Sequence, residues 1–146
     1  GITNKVFQQK GIKLPLENQS TVDETTRLAK GIAVQTQIFG EHIPKMRAAA
    51  PENLKHIQDY LSAFCFGDTY TRKTLNLQDR EMLTMCAIAA LGGCEPQLKA
   101  HIQGNINVGN TKDLLIEAIT QCLPYIGFPR TLNALGCISQ VLPDKQ

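Results

Sequence analysis

Residues 79–101, DREMLTMCAIAALGGCEPQLKAH, set an almost wholly apolar run between groups that can take or give protons, with Glu81 before it and Cys94, Gln97 and His101 after it. Thr84 is the last strongly polar side chain before the Gly92-Gly93 pair, so the run predicts a central helix buried on all sides. Asn76 marks its start, Asp79 and Glu81 stand in the first turn where the helix dipole favours negative charge, and the glycine pair ends it. An unpaired polar group beside an apolar interior costs roughly 1–3 kcal/mol. The bordering groups therefore need partners, and Glu81 is a candidate partner for His101.

Outward from this stretch the periodicity predicts helix after helix, and nothing reads as a strand. Upstream, a capping box of Thr21 and Glu24 opens a helix that runs to about Gly40 with Leu28, Ile32 and Ile38 inward. A short loop through His42 and Pro44 follows. Pro51 then opens a second helix, in which Leu54, Ile57, Leu61, Phe64 and Cys65 recur at spacings of three and four and should form core until Gly67 stops it.

Downstream, Pro96 starts a helix with Leu98, Ile102 and Ile106 on one side, ending at Gly109. Thr111 caps the next, where Leu115, Ile119, Cys122 and Ile126 share a face and Pro124 should kink or end the helix. Pro129 opens the last, through Leu132, Leu135 and Ile138, and Pro143 stops it. The expectation is an all-α, single-domain bundle of about six helices over residues 21–146, with residues 1–20 as a polar arm.

Composition narrows the function classes. The 15 cationic and 13 anionic residues give a net charge of +2 without long runs of either sign, which argues against a nucleic-acid surface. No apolar stretch approaches the roughly 20 residues that cross a bilayer, so no membrane role is expected. The polar start lacks the apolar core of a signal peptide, although Gly rather than Met at position 1 points to a processed chain. Five scattered cysteines, at 65, 86, 94, 122 and 137, fit free thiols in a reducing compartment, and the cytoplasm is the expected location. His42, His56 and His101 lie in separate segments without ligand spacing, so no metal site is expected.

Spacing also constrains the chemistry. Gln97 and His101 are four apart and share a helix face. Cys94 and His101 are seven apart, about 10 Å of axial rise, too far for a thiol to bond an imidazole directly. Cys94 does stand just before the helix that Pro96 starts, where the dipole favours a thiolate. Each candidate also has a purely structural reading: Cys94 as a turn residue, His101 as a core histidine, Glu81 as a first-turn acid, Gln97 as a solvent-facing side chain.

Five blocks, Phe66-Gly67-Asp68-Thr69-Tyr70-Thr71-Arg72, Leu77-Gln78-Asp79-Arg80-Glu81, Ala89-Ala90-Leu91-Gly92-Gly93, Gln97-Leu98-Lys99-Ala100-His101 and Tyr125-Ile126-Gly127-Phe128-Pro129-Arg130-Thr131-Leu132-Asn133-Ala134-Leu135, together resemble the carboxymuconolactone decarboxylase family, which also contains the alkyl hydroperoxidase D proteins. The likeness covers roughly residues 28 to 142. It implies an all-α subunit of the alkyl hydroperoxidase D-like type that assembles into trimers or hexamers, with sites near subunit boundaries.

The resemblance also divides the chemistry. Hydroperoxidase members carry Cys-x-x-Cys followed after three residues by His, with a Glu upstream; Cys94, His101 and Glu81 match, but Gln97 stands where the second thiol would be. Cys94 then cannot close a local disulfide, and another thiol such as Cys86 or Cys122 serves only if the fold brings it close. Decarboxylase members have the histidine without the dithiol and need no cofactor. That branch implies a small carboxylated lactone or related acid as substrate, His101 as proton donor and Glu81 orienting or recharging it. Arg80 or Arg130 would bind a substrate carboxylate, and Gln97 the lactone carbonyl. Both arginines also read as surface or intersubunit salt-bridge residues. A one-thiol peroxidase using Cys94 and a non-catalytic helical oligomer that binds a small molecule are the alternatives.

Overall fold

The computed structural model describes residues 1–144, and every regular element among them is helical, as the periodicity predicts. Helix α1 spans Ile2–Gln9, α2 Arg27–Phe39, α3 His42–Ala49 and α4 Lys55–Tyr60. A single 3-10 turn, Glu52–Leu54, leads into α4, which runs on as a π-helical segment, Leu61–Tyr70. Helices α5, Leu77–Leu91, α6, Glu95–Asn107, and α7, Lys112–Val141, complete the chain.

Two apolar clusters hold these elements together. Met85 and Ala89 of α5, Leu98 and Ile102 of α6, and Leu115, Ile119, Ala134, Cys137 and Ile138 of α7 form the larger. Ile38 of α2 with Phe66 and Tyr70 of the π segment forms the smaller. The polar residues of greatest interest lie where the two clusters meet, because α2 also packs on α6.

Local chemistry explains the helix limits. The Asn76 side chain accepts from the Asp79 amide at 2.8 Å and Thr111 Oγ1 accepts from the Leu114 amide at 3.2 Å, so both expected starts carry real caps. Ahead of α2 the cap is Asp23 rather than Thr21. Its carboxylate accepts from the amides of Thr25 and Thr26, both at 3.0 Å, while the Asp23 amide donates back to Thr26 Oγ1. Thr21 instead donates to the Thr71 carbonyl and ties the N-terminal segment to the turn before α5.

Several other expectations are corrected. The supposed loop at His42 and Pro44 is α3, whose first turn accommodates proline because the amides there have no helical acceptor, while the polar arm of residues 1–20, whose structure the sequence leaves open, contains α1. Gly67 does not stop its helix, which continues to Tyr70. Helix α7 does not end at Pro124, and its break at Gly127, φ 74° and ψ 168°, falls just before Pro129, where the sequence separates two helices.

The expected core stripe of the second helix faces outward: Leu54, Ile57 and Leu61 are exposed, and Phe64 is 69% exposed. From Leu61 onward the hydrogen bonds run i→i+5, so a 3.6-residue wheel assigns the wrong face to Leu61 and Phe64. Ser62, Phe66 and Tyr70 point inward instead. Nor is α5 buried on all sides. Arg80, Glu81, Met85 and Ala89 are buried, while Leu83 and Leu91, the latter 70% exposed, form an apolar outer face.

Helix α2 and the π segment touch backbone to backbone. A Cβ on Gly31 would collide with the Ser62 carbonyl, and one on Gly67 with the Arg27 carbonyl. The contact is bracketed by an Arg27–Asp68 ion pair at one end and, further along, by Ser62 donating to Gln35 Oε1 at 2.7 Å while accepting from Arg47. Gly31→Ala should therefore cost about 3 kcal/mol or more, read as a lowered urea midpoint with an unchanged slope.

Thr25 and Thr26 hold the Asp23 carboxyl down at about 2. A depressed folded value stabilises above the ordinary value near 3.8 and is lost as pH falls through about 2. The difference in urea midpoint between the wild-type chain and Asp23→Ala should accordingly be full at pH 7 and shrink between pH 4 and pH 2.

Candidate active site

Glu81 has no exposed surface, although it carries a carboxylate. A buried charge is tolerable only when hydrogen-bonded and paired, and two donors meet it. His101 Nδ1 lies 2.6 Å from Oε1, and the Tyr70 hydroxyl lies 2.8 Å from Oε2. A carboxylate only accepts, so Nδ1 carries the hydrogen and Nε2 is the ring nitrogen left for other chemistry. The imidazole packs edge-on against Phe39, ring centres 5.2 Å apart, and its side chain keeps 14% exposure.

Space for the carboxylate comes from Gly104, one turn beyond His101 on α6. A Cβ there would stand 2.5 Å from Glu81 Oε1 and 2.9 Å from both Ile38 and Phe39. Asn105, also fully buried, sets the register of α6 on α5: its amide nitrogen donates to the Glu81 carbonyl at 3.2 Å and to the His101 carbonyl at 2.7 Å. Its oxygen accepts from Asn110 Nδ2 at 2.7 Å, and Asn110 donates in turn to the Gln78 carbonyl. Tyr70, Gly104 and Asn105 were not singled out by residue type or spacing, since a tyrosine, a glycine and an asparagine carry no signal until the helices are docked.

The other predicted residues lie in two different places. Arg80 sits beside Glu81 in sequence but turns its guanidinium away, donating to the carbonyls of Leu75, Thr69, Arg72 and Lys73 at 2.7–3.2 Å. With four of its five N–H groups so engaged, it clamps the end of the π segment and the following turn onto α5, which is a structural duty in place of the expected substrate contact. Cys94 precedes α6 and its thiol donates to the Gly92 carbonyl at 3.2 Å. Gln97 is exposed one turn before His101, and the exposed Arg130 lays its side chain against Gly92, at the Cys94 end of α6.

Burial, and after it the neighbouring Cys122 thiol, pushes the Cys86 thiol up to about 12. Burial also raises Cys65, with the Glu81 charge adding to it. Among the described residues no group of three or more histidine, cysteine or acidic side chains is placed to hold a metal ion, and no helix is long and apolar enough to cross a membrane.

This arrangement, an ionisable imidazole held at one nitrogen by a buried carboxylate, can deliver or take one proton. The sequence is similar to those of known proteins. Over 124 residues, 84% of this chain and 92% of the relative, the sequence is 29% identical to a protein of Acinetobacter baylyi described as 4-carboxymuconolactone decarboxylase. It is 32% identical over 81 residues, 55% of this chain and 60% of the relative, to an uncharacterised 15.0 kDa protein of Paracoccus denitrificans. Residues 55–140, from the start of α4 to the end of α7 and including both Glu81 and His101, match the carboxymuconolactone decarboxylase family, and the chain belongs to that family.

Proposed function

We propose that the chain is a carboxy-lyase that decarboxylates a small carboxylated lactone or related acid without a cofactor, with His101 as proton donor. The observation that carries this reading is the pairing of His101 with a carboxylate that has no exposed surface. Likeness to a relative described as 4-carboxymuconolactone decarboxylase supports the substrate class.

The substrate supplies its own electron sink. The bond between the ring carbon and its carboxylate breaks, carbon dioxide leaves, and the electron pair passes through the double bond to the lactone oxygen as a dienolate. One proton from His101 Nε2 then reaches carbon, so substrate plus a proton yields product plus carbon dioxide. Glu81 touches only Nδ1, so its part is to orient the ring and stabilise the imidazolium, and Nε2 regains its proton from the open side. Arg130, exposed near the start of α6, is the better candidate for a substrate carboxylate, because Arg80 is spent on backbone carbonyls. Gln97, one turn from His101, suits the lactone carbonyl.

The apolar surface left on Leu83, Leu91, Tyr125, Phe128 and Leu132 favours assembly of the subunit into a trimer or hexamer. Sedimentation should return three or six times the 16.1 kDa subunit mass, and a 16.1 kDa species alone would contradict it.

Purified protein should accelerate the loss of ultraviolet absorbance of 4-carboxymuconolactone, and His101→Ala should slow it by about 10²- to 10⁴-fold. Unchanged substrate with correctly folded wild-type protein would overturn the proposal.

A further inference from the structure

We propose that Tyr70 is a positioning residue of the Glu81–His101 unit, holding the second carboxylate oxygen so that the first presents itself to the imidazole. The inference rests on the reading of His101 as proton donor, and it concerns a residue that acts on the imidazole through Glu81.

Glu81 has two oxygens and two donors among the described residues. His101 serves Oε1 from α6, and Tyr70 serves Oε2 from the end of the π segment. Among the described residues no lysine or arginine bonds the carboxylate: Arg80, its neighbour on α5, donates to backbone carbonyls instead. Cys65 of the π segment also feels Glu81: its thiol is pushed up by burial and then by the Glu81 charge. From α2 the site is walled by Ile38 and Phe39, which do not titrate. Without the phenol, Oε2 would be an unpaired acceptor in a closed interior, free to rotate toward the imidazole or to draw a proton.

Tyr70 is itself held. Its ring lies 5.0 Å from that of Phe66 and only 6% of the residue is exposed. Its oxygen also meets Thr84 Oγ1, which stands 3.0 Å from the Arg80 carbonyl one turn earlier on α5. With a single hydrogen, the phenol donates to the stronger acceptor, the carboxylate. Burial, and after it the Glu81 charge, push the Tyr70 phenol well above its ordinary value, which keeps it a neutral donor. Behind it, Tyr70 and Thr84 line a cleft of about 350 Å³ whose walls include Leu75, Leu83 and Leu91. The ring therefore also separates the buried carboxylate from the cleft, and only a substitution that keeps the ring isolates the hydroxyl.

A hydrogen-bond donor favours the ionised form of a carboxylate, and removing the donor favours the protonated form. In Tyr70→Phe, both limbs of the pH profile of kcat/KM for 4-carboxymuconolactone should move to higher pH, by about one unit, with kcat falling about tenfold at the wild-type optimum and KM little changed. Lost packing alone would lower the amplitude without moving the limbs.

The same shift should appear in the NMR titration of the His101 ring, which requires no turnover and so separates failure of this inference from failure of the decarboxylase reading. Should Tyr70→Phe not fold, 2,3-difluorotyrosine at position 70 keeps the shape, strengthens the donor and should move the His101 titration to lower pH. A His101 titration unmoved in folded Tyr70→Phe, or unmoved by the fluorinated side chain, would overturn the assignment.

Discussion

A carboxylate with no exposed surface must find its donors inside the protein, and the helices around Glu81 are docked so that it does. Gly104 leaves the volume, His101 and Tyr70 supply one hydrogen each, and Asn105 fixes α6 on α5 so that these groups stay in register. Arg80, which by position looks like the natural counter-charge, is committed to the carbonyls that terminate the π segment. The contact with Oε1 thus falls to the histidine, and the same constraint that keeps the interior satisfied leaves Nε2 available for proton transfer.

The two apolar clusters make that docking possible. Helices α5, α6 and α7 supply most of the core, and α2 with the π segment closes over the carboxylate from the other side. Close approach of α2 to the π segment depends on Gly31 and Gly67, where any side chain would meet backbone rather than a movable neighbour. The π winding brings Ser62, Phe66 and Tyr70 to the inner face together, so that one local distortion sets both a buried polar network and the second donor to Glu81.

How much of this was legible in the sequence depends on whether the signal was local. Asn76 and Thr111 cap as their residue types suggest, and the Gly92-Gly93 stop is real, because capping is settled within one turn of chain. Glu81 and His101 could be picked out because reactive groups border an apolar run. Gly104, Asn105 and Tyr70 could not be assigned roles, because their work exists only across helix contacts. Leu61 and Phe64 were read on a regular wheel, which the π segment breaks. The outer face of α5 looked like core because an apolar surface left open on a single chain has the same composition as an interior.

The account turns on which nitrogen of His101 carries its hydrogen when the ring is neutral. Nitrogen-15 NMR of the folded wild-type protein, taken at a pH above the ring's titration, reads this directly. The structure predicts a hydrogen on Nδ1, bonded to Glu81, and a bare Nε2. A neutral ring protonated on Nε2 would mean that Glu81 does not hold the imidazole as described, and the proton-donor role built on that contact would fall with it.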